Sequence, residues 1–173
     1  MALAVCLLLD RRSDRLVRDL WARLEEQGVR TLASHTHGRH LPHLSYAVLR
    51  SWDLASVQTA LAGLPDGGPV TLHCHGTLTF PRGRAALAPA VTAGLAARQQ
   101  AVVERVAGCG DLHHNYRPGW WVPHVSVATR AQGAAMATVV RMIADTLPLA
   151  LHADRAALVD SATGRTWPLD AMP

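Results

Sequence analysis

The sequence predicts an α+β fold of two similar lobes around a central cleft, and three observations carry that expectation. Apolar residues switch between helical and strand periods in the order helix–strand–helix–strand–strand, and that order occurs twice. Signals for antiparallel hairpins dominate, while the spacing of parallel βαβ units is patchy. A six-residue segment recurs 81 residues later, at the same place in the repeated order. Each lobe is expected to hold an antiparallel sheet with helices on its outer face, the two being related by an approximate twofold. The chain reads as one domain, 1–173, with lobe-forming halves of roughly 1–91 and 92–173.

The elements follow in order. MALAVCLLL (1–9) is too short to span a bilayer, and its arginines follow the apolar run instead of preceding it, the reverse of a secretory signal. It is expected to be a buried first strand. Ser13 is a candidate cap for a helix with Val17, Leu20, Trp21 and Leu24 on one face, stopped by Gly28. A His-rich loop, SHTHGRHLP (34–42), leads to a strand at 43–50. Asp53 opens a short helix with Leu54, Val57 and Leu61 on one side, and Gly63 closes it. VTLHCHGTLTF (70–80) alternates with period two, and PRG (81–83) turns it into RAALAPAV (84–91). A helix over about 92–107 ends this half. A second polar loop (108–120) precedes the strand WVPHVSV (121–127). A helix with Met136, Val139, Val140 and Ile143 follows, then strands at about 149–159 and 165–169 around the turn SATG.

Composition sets outer bounds. With 173 residues, 49% of them hydrophobic, the chain can build a packed core. Three cysteines without a C-x-x-C pair suit reduced thiols in a cytoplasmic protein. The net charge of +4 favours an anionic partner. All 17 basic residues are arginine, a compositional bias, so their number alone says little about phosphate binding. The charges are scattered, without the basic run of a nucleic-acid tail. No membrane association and no obligate protein partner is expected.

The repeated segment carries the chemistry. PHLSYA (42–47) and PHVSVA (123–128) share Pro, His, Ser and Ala. By strand alternation His43, Ser45 and Ala47 face one way, and His124, Ser126 and Ala128 do the same in the second half. A lone histidine in an apolar strand is most simply a hydrogen-bonded core residue. Two matched ones across a cleft form an acid/base pair: one imidazole takes a proton from an attacking oxygen while the other gives one to the leaving oxygen. A serine two residues on can donate to a non-bridging phosphate oxygen. Such a site performs in-line phosphodiester chemistry without a metal or other cofactor.

H-Φ-S-Φ twice, about eighty residues apart in a small chain, resembles the 2H phosphoesterase superfamily, nearest its 2′-5′ RNA ligase and cyclic phosphodiesterase branch. The resemblance covers nearly the whole chain. It implies a bilobal α+β fold, a catalytic pair at His43 and His124, and phosphate-binding hydroxyls at Ser45 and Ser126. It also implies a nucleotide or RNA phosphodiester substrate, with 2′,3′-cyclic phosphate ends and 2′,5′ linkages as the usual targets. One departure stands out. Ligase-like members often carry arginine five residues after the second histidine; here that position is Thr129, and Arg130 follows it, on His124's face by simple alternation and a candidate to reach substrate phosphate.

Other residues have two readings each. His73 and Thr77 line the substrate site if the polar face of 71–79 adjoins the cleft, and are solvated otherwise. Tyr116, Trp120 and Trp121 can stack on a base or pack their loop, and Arg117 can contact phosphate or solvent. His35, His37, His40, His73, His75, His113 and His114 lack the spacing of a structural metal site. Four alternatives stay open: a 2′,5′-linkage ligase or nuclease, an enzyme for cyclic oligonucleotides or an ADP-ribose cyclic phosphate, a non-catalytic RNA- or nucleotide-binding module, and a His-rich metal-binding protein.

Overall fold

A computed structural model describes residues 2–173. The elements are β1 (Leu3–Leu9), α1 (Arg11–Glu26), β2 (His43–Trp52), α2 (Leu54–Ala62), β3 (Val70–Phe80), β4 (Arg84–Pro89), α3 (Ala93–Val106), β5 (Gly110–Leu112), β6 (Val125–Ala128), α4 (Ala134–Ala144), β7 (Leu149–Asp160) and β8 (Thr166–Leu169). A single 3-10 turn spans His114–Tyr116. Among the described residues no helix is long and apolar enough to cross a membrane.

The class is α+β, and every strand pairing is antiparallel. The strands join in one continuous sheet, ordered β1-β2-β6-β4-β3-β7-β8, and β1 also pairs with β7. Six of them therefore close a ring. Strands from before and after residue 91 interleave in it: β1 lies against β7, and β4 against β6. The ladder is narrowest between β2 and β6, where Leu44↔Val125 is the one register pair. β2, which begins at His43, and β6, which begins one residue after His124 and is shorter than the expected strand over 121–127, are thus direct neighbours.

The helices cover one face. Leu44, Leu49, Val125 and Val127 are fully buried there with Trp21 of α1, Val102 of α3 and Ile143 of α4. A smaller apolar cluster, Ala4, Cys6, Leu8 and Ala157, lies on the other side of β1. β1 is consequently buried on both faces, which is why it reads as an unbroken apolar run.

Helix ends follow local chemistry. Asp10, not Ser13, caps α1, its carboxylate accepting the Ser13 amide at 2.6 Å. The Ser13 hydroxyl accepts the His152 amide instead, tying α1 to β7. Asp53 and Thr92 cap α2 and α3 in the same way. β5 and the 3-10 turn have no periodic signal in the sequence and follow from pairing with β2.

Candidate active site

Two local departures from regular β-structure shape the site, and they match. Val5 pairs with Ala47 but Cys6 pairs with Ser45, so Tyr46 is an extra residue bulged out of β2. Ala85 pairs with Ala128 but Ala86 with Ser126, so Val127 is bulged out of β6. Each bulge falls on the residue after the motif serine. Bulges re-aim side chains and favour the neighbourhood of active sites. Here they end the simple alternation: Ala47 and Ala128 turn into the core with Val5 and Ala85, while the histidine and serine before each bulge keep the opposite face. Continuing the Leu44↔Val125 register sets His43 across from Ser126 and Ser45 across from His124. The four groups therefore occupy one patch.

The two imidazoles are held identically. His43 Nδ1 donates to the Leu41 carbonyl at 2.6 Å, and His124 Nδ1 donates to the Val122 carbonyl at 2.8 Å. A carbonyl can only accept, so Nδ1 carries the proton and Nε2 is the atom left for chemistry. Pro42 and Pro123 stand between each carbonyl and its ring, holding the preceding residue extended. The serine carbonyls are matched too. Trp121 Nε1 donates to Ser45 O at 3.0 Å and Trp21 Nε1 to Ser126 O at 3.2 Å. Gln99, buried in α3, donates to the bulged Tyr46 carbonyl at 3.1 Å and to Tyr116 O at 2.7 Å.

The electrostatics of the two histidines diverge. Burial works against the charged form of His43, but attraction to the Cys6 sulfur and the bond to Leu41 outweigh it, pushing the imidazole up to about 9. His124 is held below its ordinary value, first by burial, then by the positive charges of His43 and Arg84, against the opposing bond to Val122. The Phe80 ring, 4.9 Å away between centroids, contributes to that burial. Near neutrality the patch therefore offers one protonated and one neutral imidazole. Ser45 Oγ lies 3.5 Å from Cys6 Sγ.

The remaining sequence-predicted residues divide. Tyr116 reaches the site: burial pushes its phenol up to about 12, and Ser45 and Arg84 are among its polar neighbours. Thr77 does not. His75 is an extra residue in β3, between Cys74↔Pro89 and Gly76↔Ala88, and that bulge reverses the alternation beyond it. Thr77 consequently pairs with Leu87, which pairs with Val125, all on the helix-covered face. Leu78 and Phe80 take the cleft side instead. His73 is on the cleft-side face but exposed, four residues or ~13 Å along β3 from the row of Val125 and Leu87. Trp121 packs on Tyr46 with ring centroids 6.0 Å apart, whereas Trp120 is 74% exposed. The bulge at Val127 removes Arg130 from the alternation, and it lies exposed just beyond β6 with φ 56°.

Three participants had no motif to announce them. Cys6 belongs to a strand that reads as plain core. Arg84 and Phe80 reach the cleft through the register of the β3–β4 hairpin, where they are paired. Gly76 inside a strand was the available sign of a bulge there. In the loop before β2 the His35 ring stacks on His40, 5.6 Å between centroids, and the His37 ring lies tilted against His40 at 4.2 Å. Burial and the neighbouring imidazoles, His43 included, push His40 down to about 4.

Comparison with known proteins agrees with this architecture. A family model described as the 2′-5′ RNA ligase superfamily matches residues 13–165. The fold is similar to that of LigT from E. coli in its apo form, with TM-score 0.61 and 16% identity over 98% of this chain and 94% of that one. It is also similar to Usb1 from Kluyveromyces marxianus, with TM-score 0.55 and 14% identity over 97% of both chains. A structure described as a phosphoesterase gives TM-score 0.56 and 18% identity over 97% of this chain and 94% of that one. A search of curated proteins finds no match.

Proposed function

The chain belongs to the 2′-5′ RNA ligase superfamily, among the 2H phosphoesterases, and on that premise we propose that it hydrolyses a nucleotide or RNA 2′,3′-cyclic phosphate by metal-independent two-histidine catalysis. Family membership supports an enzyme of phosphoesterase type, acting on phosphodiesters or in RNA processing. The finer reading is carried by one observation: two imidazoles are fixed by the same Nδ1–carbonyl bond, which leaves Nε2 of each for the reaction, and their pKa values are pushed in opposite directions.

The roles follow from those states. Neutral His124 takes a proton from water through Nε2 as the water oxygen attacks phosphorus. Protonated His43 gives its Nε2 proton to the ester oxygen opposite, whose bond to phosphorus breaks. The products are a phosphomonoester and a free hydroxyl, and the two rings exchange protonation states before the next turnover. Ser45 and Ser126 donate to the non-bridging oxygens, where negative charge grows. General acid and base catalysis contributes on the order of 10²–10⁴ in rate for each group. Relatives support a ligand of nucleotide size: LigT has been solved with NADP+ and Usb1 with uridine monophosphate.

The test is a screen of the four nucleoside 2′,3′-cyclic monophosphates with EDTA present, reading the monophosphate isomer formed. Turnover to one isomer supports the reading and shows which ester oxygen leaves. Turnover restricted to 2′,5′-linked or cyclic oligonucleotides would replace the cyclic-phosphate substrate. Activity abolished by EDTA and restored by a divalent ion would overturn the metal-independent mechanism.

A further inference from the structure

Three chain segments that are far apart in sequence meet at the C-terminal end of β6, and each brings an arginine. The Thr129 amide donates to the Arg30 carbonyl and the Ala131 amide to the Gly83 carbonyl, both at 2.8 Å. Thr31 forms a bridge with Ala128. The approach is close: a Cβ on Gly83 would lie 2.8 Å from the carbonyl carbon of Arg130. Arg30, Arg84 and Arg130, all exposed, are thereby brought close to one another. Burial first, then the charges of Arg84, Arg130, His37 and Arg30, lower the pKa of His35, and the charge of Arg84 also lowers that of His124.

The three like charges repel, and water around their exposed side chains softens that repulsion without removing it. The ion pairs among the described residues are Arg18–Asp14 and Arg155–Asp154, so none of the three arginines has a carboxylate partner. Glu25, near the same loop, accepts from the Thr31 and Ser34 hydroxyls instead. The backbone is also held in the left-handed region at Arg130 and at Arg82, with φ of 56° and 66°. Non-glycine residues seldom adopt it, and they persist there where surrounding structure enforces it, commonly at ligand sites. In a chain whose every basic residue is arginine, the weight rests on this juxtaposition and not on the number.

We propose that Arg30, Arg84 and Arg130 form a second anion subsite, which takes a phosphate of the substrate other than the one being cleaved. Guanidinium groups suit the task because their planar forks match phosphate oxygens in pairs. The proposal rests on the phosphodiesterase reading and adds a preference to it: molecules with at least two phosphates bind more tightly, while a cyclic mononucleotide still fits the histidine pair. Either an oligonucleotide end, through its next internucleotide phosphate, or a nucleoside 2′,3′-cyclic phosphate bearing a 5′-phosphate supplies that chemistry.

Binding of product-like ligands separates these without any turnover. Calorimetry would compare a nucleoside 3′-monophosphate, the corresponding 3′,5′-bisphosphate and a dinucleotide 3′-monophosphate. The subsite predicts that at least one two-phosphate ligand binds about tenfold or more tightly than the monophosphate, and the tighter of them identifies the source. In an Arg30→Gln/Arg130→Gln double variant, and in high salt, that ratio should collapse toward one. Equal affinity for all three ligands, or a ratio surviving the double substitution, would overturn the subsite. Turnover of cyclic mononucleotides by the unmodified protein reports separately on the reaction. Its absence alongside a retained two-phosphate preference would remove the hydrolase reading while supporting the subsite.

Discussion

Replacing Cys6 with alanine should move the alkaline limb of the pH–rate profile down by more than one pH unit. His43 is half-buried, and burial alone would lower its pKa; attraction to the Cys6 sulfur raises it to about 9. As the general acid, His43 is competent only while protonated. Without the Cys6 sulfur, burial is opposed only by the bond to Leu41, so the imidazole falls back toward or below its ordinary value near 6.5 and is mostly neutral at pH 8. The variant should therefore lose about tenfold or more in kcat/KM at pH 8 relative to its own maximum. The acid limb belongs to His124 and lies below its ordinary value in both proteins, moving little. The assay is kcat/KM on a cyclic mononucleotide from pH 4.5 to 10. Superimposable profiles for wild type and variant would refute the role given to Cys6. An alkaline limb near 6.5 in the wild type would refute the assignment of His43 as the acid.

Other outcomes follow from the same geometry. Phe80→Ala uncovers His124, and because burial is the main cause of its lowered pKa, the value should rise toward 6.5; NMR titration of the ring protons reads this, and an unchanged pKa would count against it. Trp121→Phe removes the donor to Ser45 O, and Trp21→Phe the donor to Ser126 O. Each should cost about 0.5–1.5 kcal/mol in chemical denaturation, the net worth of one hydrogen bond. Asp10→Ala removes the cap of α1 and should cost about 1 kcal/mol near neutral pH. Its carboxylate is held below 3.8, chiefly by the Ser13 amide. That contribution is therefore present above the unfolded pKa and lost as pH falls through the lower folded value. The difference in stability between wild type and variant should shrink below about pH 4.

What the sequence reveals and what it hides have physical causes. Helices α2 and α3 are legible nearly to the residue because Asp53, Thr92 and Gly63 are local signals acting on local backbone. The histidine–serine pair is legible because the segment recurs. The matching bulges are not: Tyr46 and Val127 are ordinary strand residues, and only pairing with Val5–Cys6 and with Ala85–Ala86 forces them out of register. The same cause misplaces Thr77, since strict alternation passes silently over the bulge at His75. Arg84 and Phe80 escape a linear reading because their place depends on which strand lies beside β6. Sheet order is a long-range property, and period-two patterning carries no information about partners.

The central claim is that His43 and His124 together perform the chemistry. It is tested most directly by turnover of a nucleoside 2′,3′-cyclic monophosphate in EDTA by wild type, His43→Ala and His124→Ala, with folding of each variant verified by circular dichroism. The account predicts turnover by wild type and a loss of at least 10²-fold in each variant, as expected for removal of a general acid or base. Turnover persisting undiminished in either folded variant would contradict it.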